Sequence, residues 1–166
     1  MKVRDEHLYH GAALNQIAEH KSFTAINSLR IANSVSRSAF LINDHIAVYL
    51  KYATKPSGGF KEYIFTFTRS HLRELKQIRK QHPKTFVSLI CVKDREICCL
   101  SYEELIEIFR RRKEAMGKGE KQYNLLVTVK HNEAFRVYIN DPNEKGTWLF
   151  KPKKIVRNRF PKELFN

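Results

Sequence analysis

From His45 to Tyr52 apolar and other side chains alternate with period two: Ile46, Val48, Leu50 and Tyr52 point one way, Ala47, Tyr49 and Lys51 the other. That pattern predicts a strand. Ala39 to Asn43 predicts the strand before it, with Asn43-Asp44 as the tight turn between them. After the loop Lys55-Pro56-Ser57-Gly58-Gly59, Glu62 to Thr68 predicts the third strand of a meander. Upstream, Leu8 to His20 predicts a short helix with Leu14, Ile17 and Ala18 on one side. Phe23, Ile26, Leu29 and Ile31 continue a helical spacing until Asn33, Ser34 and Ser36 end it.

Downstream, Ser70 caps a predicted helix that runs to Gln81, stops at Pro83 and carries Leu72, Leu75 and Ile78 inside. Thr85 to Val92 is almost continuously apolar, as a strand covered on both faces would be. Phe40 to Ile42, Ile64 to Phe67 and Phe86 to Val92 are the segments expected to be buried. Lys93-Asp94 turns the chain into Glu96 to Leu100. Ser101-x-x-Glu104 is then a capping box for a helix with Leu105, Ile106 and Phe109 inside, ending before Gly117. Lys118 to Lys121 reads as a polar linker, and Gln122 to Val129 with Phe135 to Ile139 as a hairpin. Trp148 to Phe150 reads as an edge strand, and the basic tail from Lys151 packs through Phe160, Leu164 and Phe165.

The predicted fold is α+β: a central mixed sheet made from a three-strand meander, a helix and a further strand, flanked by helices, with a C-terminal β-hairpin region. A length of 166 residues fits one domain; if it divides, residues 1–117 form the α/β core and 122–166 the hairpin and tail. A 42% hydrophobic content is enough for a core. Cys91, Cys98 and Cys99 are an odd set without zinc-ligand spacing, which predicts reduced core thiols. The Met-Lys-Val-Arg-Asp-Glu start has no apolar core of a signal peptide, and no apolar run is long enough to span a bilayer. The expectation is a soluble, intracellular, cytoplasmic protein with no membrane partner.

Charge narrows the class of partner. Lys and Arg number 31 against 17 Asp and Glu, a net charge of +14, and such self-repulsion is relieved most readily by a polyanion. The expected partner is nucleic acid, DNA ahead of RNA. Arg69, Arg73, Lys76 and Lys80 share one helix stripe opposite Leu72, Leu75 and Ile78, interrupted only by Glu74. Arg110 and Arg111 lie in a second cluster, which would also suit the helix dipole. A third holds Lys153, Lys154, Arg157 and Arg159 beside Trp148, Phe150 and Phe160, bases and aromatics interleaved as in backbone tracking with base stacking. No RNP-like strand, KH loop or Cys/His finger is present. No glycine-rich loop opens a helix, so no nucleotide cofactor is expected.

The order helix, three-strand meander, helix, strand over residues 8–92 resembles the core of the PD-(D/E)xK, or restriction-endonuclease-like, nucleases. The resemblance implies an acid near the second strand and an acid-x-Lys on the third, binding Mg2+ for phosphodiester hydrolysis. Asp44 stands where the first acid would be. Lys51 is a strand lysine with Tyr49 two residues before it, and Glu62 opens the third strand without a lysine two places on. Were Lys51 and Glu62 to face each other across a hairpin, they and Asp44 would form a Mg2+ site, with Asp44 and Glu62 as ligands and Glu19 as the helix acid. Otherwise Asp44 is a turn residue and Lys51 with Glu62 a cross-strand ion pair. Two other functions stay open: a non-catalytic nucleic-acid-binding accessory protein, and an interaction module for an acidic protein.

Overall fold

The computed structural model describes residues 1–144 and 147–166. Its elements run α1 (Asp5–Ala18), β1 (Ile26–Ile31), β2 (Ser34–Ile42), β3 (Ile46–Ala53), β4 (Tyr63–Thr68), α2 (Arg69–Gln81), β5 (Lys84–Cys91), β6 (Glu96–Ser101), α3 (Tyr102–Met116), β7 (Gln122–Thr128), β8 (Phe135–Tyr138) and β9 (Lys153–Ile155). A 3-10 turn closes the chain at Lys162–Phe165. This is an α+β fold built on two sheets, one of five strands in the order β1-β2-β3-β5-β6 and one of four in the order β4-β7-β8-β9.

Local sequence explains the meander. Asn43 and Asp44 both take left-handed backbone, φ 51° and 64°, and reverse the chain with a twist that matches paired strands. His45 completes a three-residue connection, its amide donating to the Ile42 carbonyl at 3.2 Å, so Ile42 lies opposite Ile46 and β2 runs antiparallel to β3. The pairing of β3 with β5 is parallel, from Ile46↔Lys84 to Ala53↔Cys91, and the connection between them carries β4 and α2. All other pairings are antiparallel.

The five-stranded sheet is covered on both faces. Val48 and Leu50 pack with Ala13 and Ile17 of α1 and with Phe160 and Leu164 of the C-terminal tail. Ala47 and Tyr49 face Leu75 and Ile78 of α2, Leu105 and Phe109 of α3, and Tyr63, Phe65, Phe67 and Phe135 of the second sheet. Each of the buried Val, Leu, Ile and Phe side chains among them contributes on the order of 1.5–3 kcal/mol. Double coverage is also why β5 is buried from Thr85 to Cys91. The boundary at 117/122 falls within this architecture: β4 pairs with β7 from Tyr63↔Val127 to Thr68↔Gln122, and both sheets share one core. The three cysteines are free and buried, and burial pushes the Cys99 thiol up to about 12.

Several elements depart from the sequence reading. Ile26–Ile31 is a strand and not a helical continuation. As the edge of its sheet it buries only Leu29 and carries a bulge between Ser28 and Arg30, so the alternation of a half-buried strand is missing. The meander is therefore β1-β2-β3, and the segment expected as its third strand, β4, belongs to the other sheet. That placement leaves Ile64 exposed on the outer side, against the expectation of a buried segment. The first helix starts at Asp5 and buries His10, Ala13 and Ile17, leaving Ala18 exposed. Thr68, not Ser70, caps α2: its hydroxyl accepts from the His71 amide at 3.2 Å. Trp148 makes only an isolated bridge to Asn140; the edge strand is β9. Among the described residues no helix is long and apolar enough to cross a membrane.

Glu104 ties the tail to the core. Its carboxylate accepts from the Ser101 amide (2.9 Å) and pairs with Arg159 (2.9 Å) and Lys153 (3.3 Å). Burial alone would raise this carboxyl, but the Ser101 amide and the two cations outweigh it and hold it below the ordinary range. A carboxyl with a lower pKa folded than unfolded stabilises the fold above the unfolded value, and that stability is lost as pH falls through the folded value. In urea unfolding, stability should decline as pH drops through the carboxylate range. Glu104→Gln should lower it at neutral pH by about 1 kcal/mol and flatten the decline; an unaltered pH profile in the variant would dismiss this network as a source of stability.

Candidate nucleic-acid interface

Parallel pairing of β3 with β5 makes α2 run back along the sheet, so its first turn lies beside the C-terminal end of β3. Lys51 leaves β3 on the same side as Ala47 and Tyr49, half-buried, with its ammonium 4.9 Å from the centroid of the Phe67 ring and 3.5 Å from Nδ1 of His71. Glu74 accepts a hydrogen bond from the Ser36 hydroxyl at 2.7 Å.

Burial dominates the electrostatics of this cluster. It lowers the Lys51 pKa, and the Glu74 charge opposes that shift without cancelling it. His71 is lowered by burial first and by the Lys51 cation second, with Glu74 again opposing. Burial and then Glu74 push the Tyr49 phenol upward. Over the cluster, a cavity of about 410 Å3 opens between β2 and α2, lined by Ser34, Ser36, Arg37, Ser70, Arg73 and Glu74. Glu74 and Arg73 thus join the half-buried group to the outer face of α2.

That outer face is basic. Arg69, Arg73, Lys76 and Lys80 are all exposed. Arg69 donates to the Glu120 carbonyl at 3.3 Å, and none of the four forms an ion pair among the described residues. The other clusters are largely satisfied from within. Arg110 pairs with Glu107 (2.6 Å) and Glu114, and Arg111 lies over the Phe150 ring at 4.0 Å. Lys153 pairs with Glu104, and Arg157 with Glu96 at 2.6 Å. Arg157 also donates to the carbonyls of Lys130 and Glu133. Lys154 is exposed on β9.

The residues expected to form a metal site do not meet. Asp44 sits in the β2–β3 turn and accepts from the Asn27 side-chain amide at 2.8 Å. Lys51 stands seven residues further on, near the far end of β3, about 20 Å away at the extended rise. The hairpin that would have set Lys51 against Glu62 does not exist, because β3 and β4 lie in different sheets. Glu62 instead accepts the Tyr138 hydroxyl of the second sheet and bridges Ser57. Glu19 caps the C-terminus of α1, on the opposite face of the five-stranded sheet, within reach of Asn15. Among the described residues no group of three or more His, Cys, Asp or Glu could hold a metal. The cluster around Lys51 offers Glu74 as its one carboxylate, so the donor set does not fit Mg2+, and no step through a metal is derived.

Sequence reasoning overlooked Glu74, His71 and Ser36 as members of a site. The signal for Glu74 was its place as the one acid interrupting four cations. Ser36 gave none, because the segment holding it reads as the end of a helix. No family model, no curated protein and no solved structure matches this chain. The fold and the site define an α+β domain with an unneutralised basic helix face beside a half-buried lysine–histidine–glutamate cluster.

The cluster makes a sharp prediction for His71. Removing the adjacent cation in Lys51→Met should raise the His71 pKa, followed by the pH titration of its ring protons in NMR spectra. A value that stays put or falls would show that the two side chains are not coupled.

Proposed function

We propose that this protein binds nucleic acid, with duplex DNA as its first partner, through the outer face of α2, and that it acts as a non-catalytic binding or accessory protein. The observation that carries this reading is the contrast in neutralisation. Carboxylates or aromatic rings occupy Arg110, Arg111, Lys153, Arg157 and Arg159, while Arg69, Arg73, Lys76 and Lys80 face solvent in one row without acidic partners among the described residues. A row of cations on a rigid helix matches a run of phosphates, and each phosphate neutralised releases condensed counterions.

The restriction-endonuclease-like relationship draws support from the element order α1, β1–β3, α2, β5, into which β4 is inserted before α2, with Lys51 on the third strand of the meander. What weighs against hydrolysis is the acid complement. Tyr49 precedes Lys51 by two residues, and Ser34–Ile42 contains no Asp or Glu. The binding reading is therefore preferred to the nuclease. It predicts that wild type and Asp44→Ala leave plasmid and single-stranded DNA equally intact with Mg2+ or Mn2+. Cleavage by wild type that the substitution abolishes would restore the enzyme.

Binding itself is read by fluorescence anisotropy of a labelled duplex over a series of KCl concentrations. Affinity should fall steeply with salt. Arg73→Glu with Lys76→Glu should weaken it and reduce the log–log slope by about 2, near 0.9 for each phosphate that is no longer neutralised. Arg110→Ala, whose partner carboxylates lie on its own helix, should leave the slope unchanged. A slope untouched by the α2 double variant removes this face from the footprint. Saturable capture of an acidic protein, with no affinity for DNA, would replace nucleic acid as the partner.

A further inference from the structure

The second sheet carries a concave aromatic site on its outer side that the basic helix face does not explain. The loop before β4 is closed by reciprocal backbone bonds between Ser57 and Glu62 (2.9 and 3.1 Å), with Gly58 and Lys61 in left-handed conformation at φ 71° and 51°. This closed loop holds Phe60 outward, 65% exposed. Trp148 is 47% exposed, and its ring stands 6.2 Å from that of Tyr138 in an edge-on arrangement. The three aromatics line one cleft of about 260 Å3 together with Lys130, Arg136 and Glu62. Its size is below the roughly 300 Å3 at which clefts admit drug-sized ligands, so it suits a single flat ring with a small appendage.

Resting on the reading that this protein binds nucleic acid, we propose that the cleft holds one unpaired nucleobase of a single-stranded segment, guanine in preference to thymine. Phe60 and Trp148 supply faces for stacking, which tolerates any base. Lys130 supplies the charge for the adjoining phosphate, beside Arg136, whose guanidinium lies 3.8 Å from Glu133. The Glu62 carboxylate, oriented by the Tyr138 hydroxyl, supplies acceptors. Guanine presents N1–H and N2–H2 side by side to such a carboxylate, whereas thymine presents one N–H between two carbonyl oxygens. An aromatic cage with one acid is also the form that recognises quaternary ammonium groups. Arg136 reaches Glu133 at 3.8 Å, but Lys130 has no acidic partner among the described residues and the Glu62 carboxylate is already engaged by Tyr138, which favours the anionic ligand.

Trp148 is the only tryptophan in the chain, so its fluorescence reports on this cleft alone. GMP should quench it saturably, TMP only at about tenfold higher concentration and choline not at all, and Phe60→Ala should abolish the GMP response. A short thymine tract containing one guanine should bind wild type about tenfold tighter than the all-thymine tract. Phe60→Ala should lose that advantage while keeping wild-type affinity for duplex DNA. No quenching by GMP, equal affinity for the two tracts, or quenching by choline would overturn the proposal even if duplex binding through α2 holds. Quenching by GMP without any salt-dependent duplex binding would leave the cleft in place and remove the helix face instead.

Discussion

Parallel pairing of β3 with β5 is the constraint from which the rest of the structure follows. Two antiparallel strands can be joined by a turn of two residues, but a parallel pair needs a crossover of a dozen residues or more. Here the crossover spans residues 54–83 and contains β4 and α2. Once β3 and β5 lie side by side, β4 cannot also pair with β3, because that edge is taken by β2 on one side and β5 on the other. It is displaced to a second layer, where β7 pairs with it. The same return path brings the first turn of α2 over the end of β3 and sets His71 and Glu74 beside Lys51.

Electrostatic organisation follows from this layering. An excess of cations this large must be distributed so that the folded state survives its own repulsion. The chain does so by placing carboxylates between the cations of α3 and the C-terminal tail, with Glu104 serving two cations and a backbone amide at once. On α2 the inner side is committed to the core and to Glu74, so the outer side stays positive. Lys51 answers to a different rule: behind α2 it is shielded from water, and burial weakens its charge and that of His71 alike.

What was legible in the sequence depended on how local the physical cause is. The Asn43-Asp44 turn, the Ser101–Glu104 capping box, the stop of α3 at Gly117 and the doubly covered β5 all arise from neighbours in the chain, and each appears where the pattern places it. The helical stripe at Arg69, Arg73, Lys76 and Lys80 was legible for the same reason, since helix period alone puts those residues together. β1 was not: an edge strand with one buried side chain has too little alternation to separate it from a helix. Nor was the fate of β4, whose six residues are a good strand in either sheet.

The residue sequence by itself therefore determined the class of fold, most of its elements, the basic face of α2 and the burial of the three thiols, because each rests on short-range periodicity, capping or composition. Tertiary structure alone decided which strand stands beside which. That choice separates Asp44, Lys51 and Glu62, although the linear order suggested one metal site, and gathers Lys51, His71, Glu74 and Ser36, although nothing in their spacing joined them. It also turns Phe60, Tyr138 and Trp148 toward one cleft from segments up to 88 residues apart (148 − 60). Pairing energies of competing strands are similar locally, and only the burial of a shared core between the two sheets selects among them.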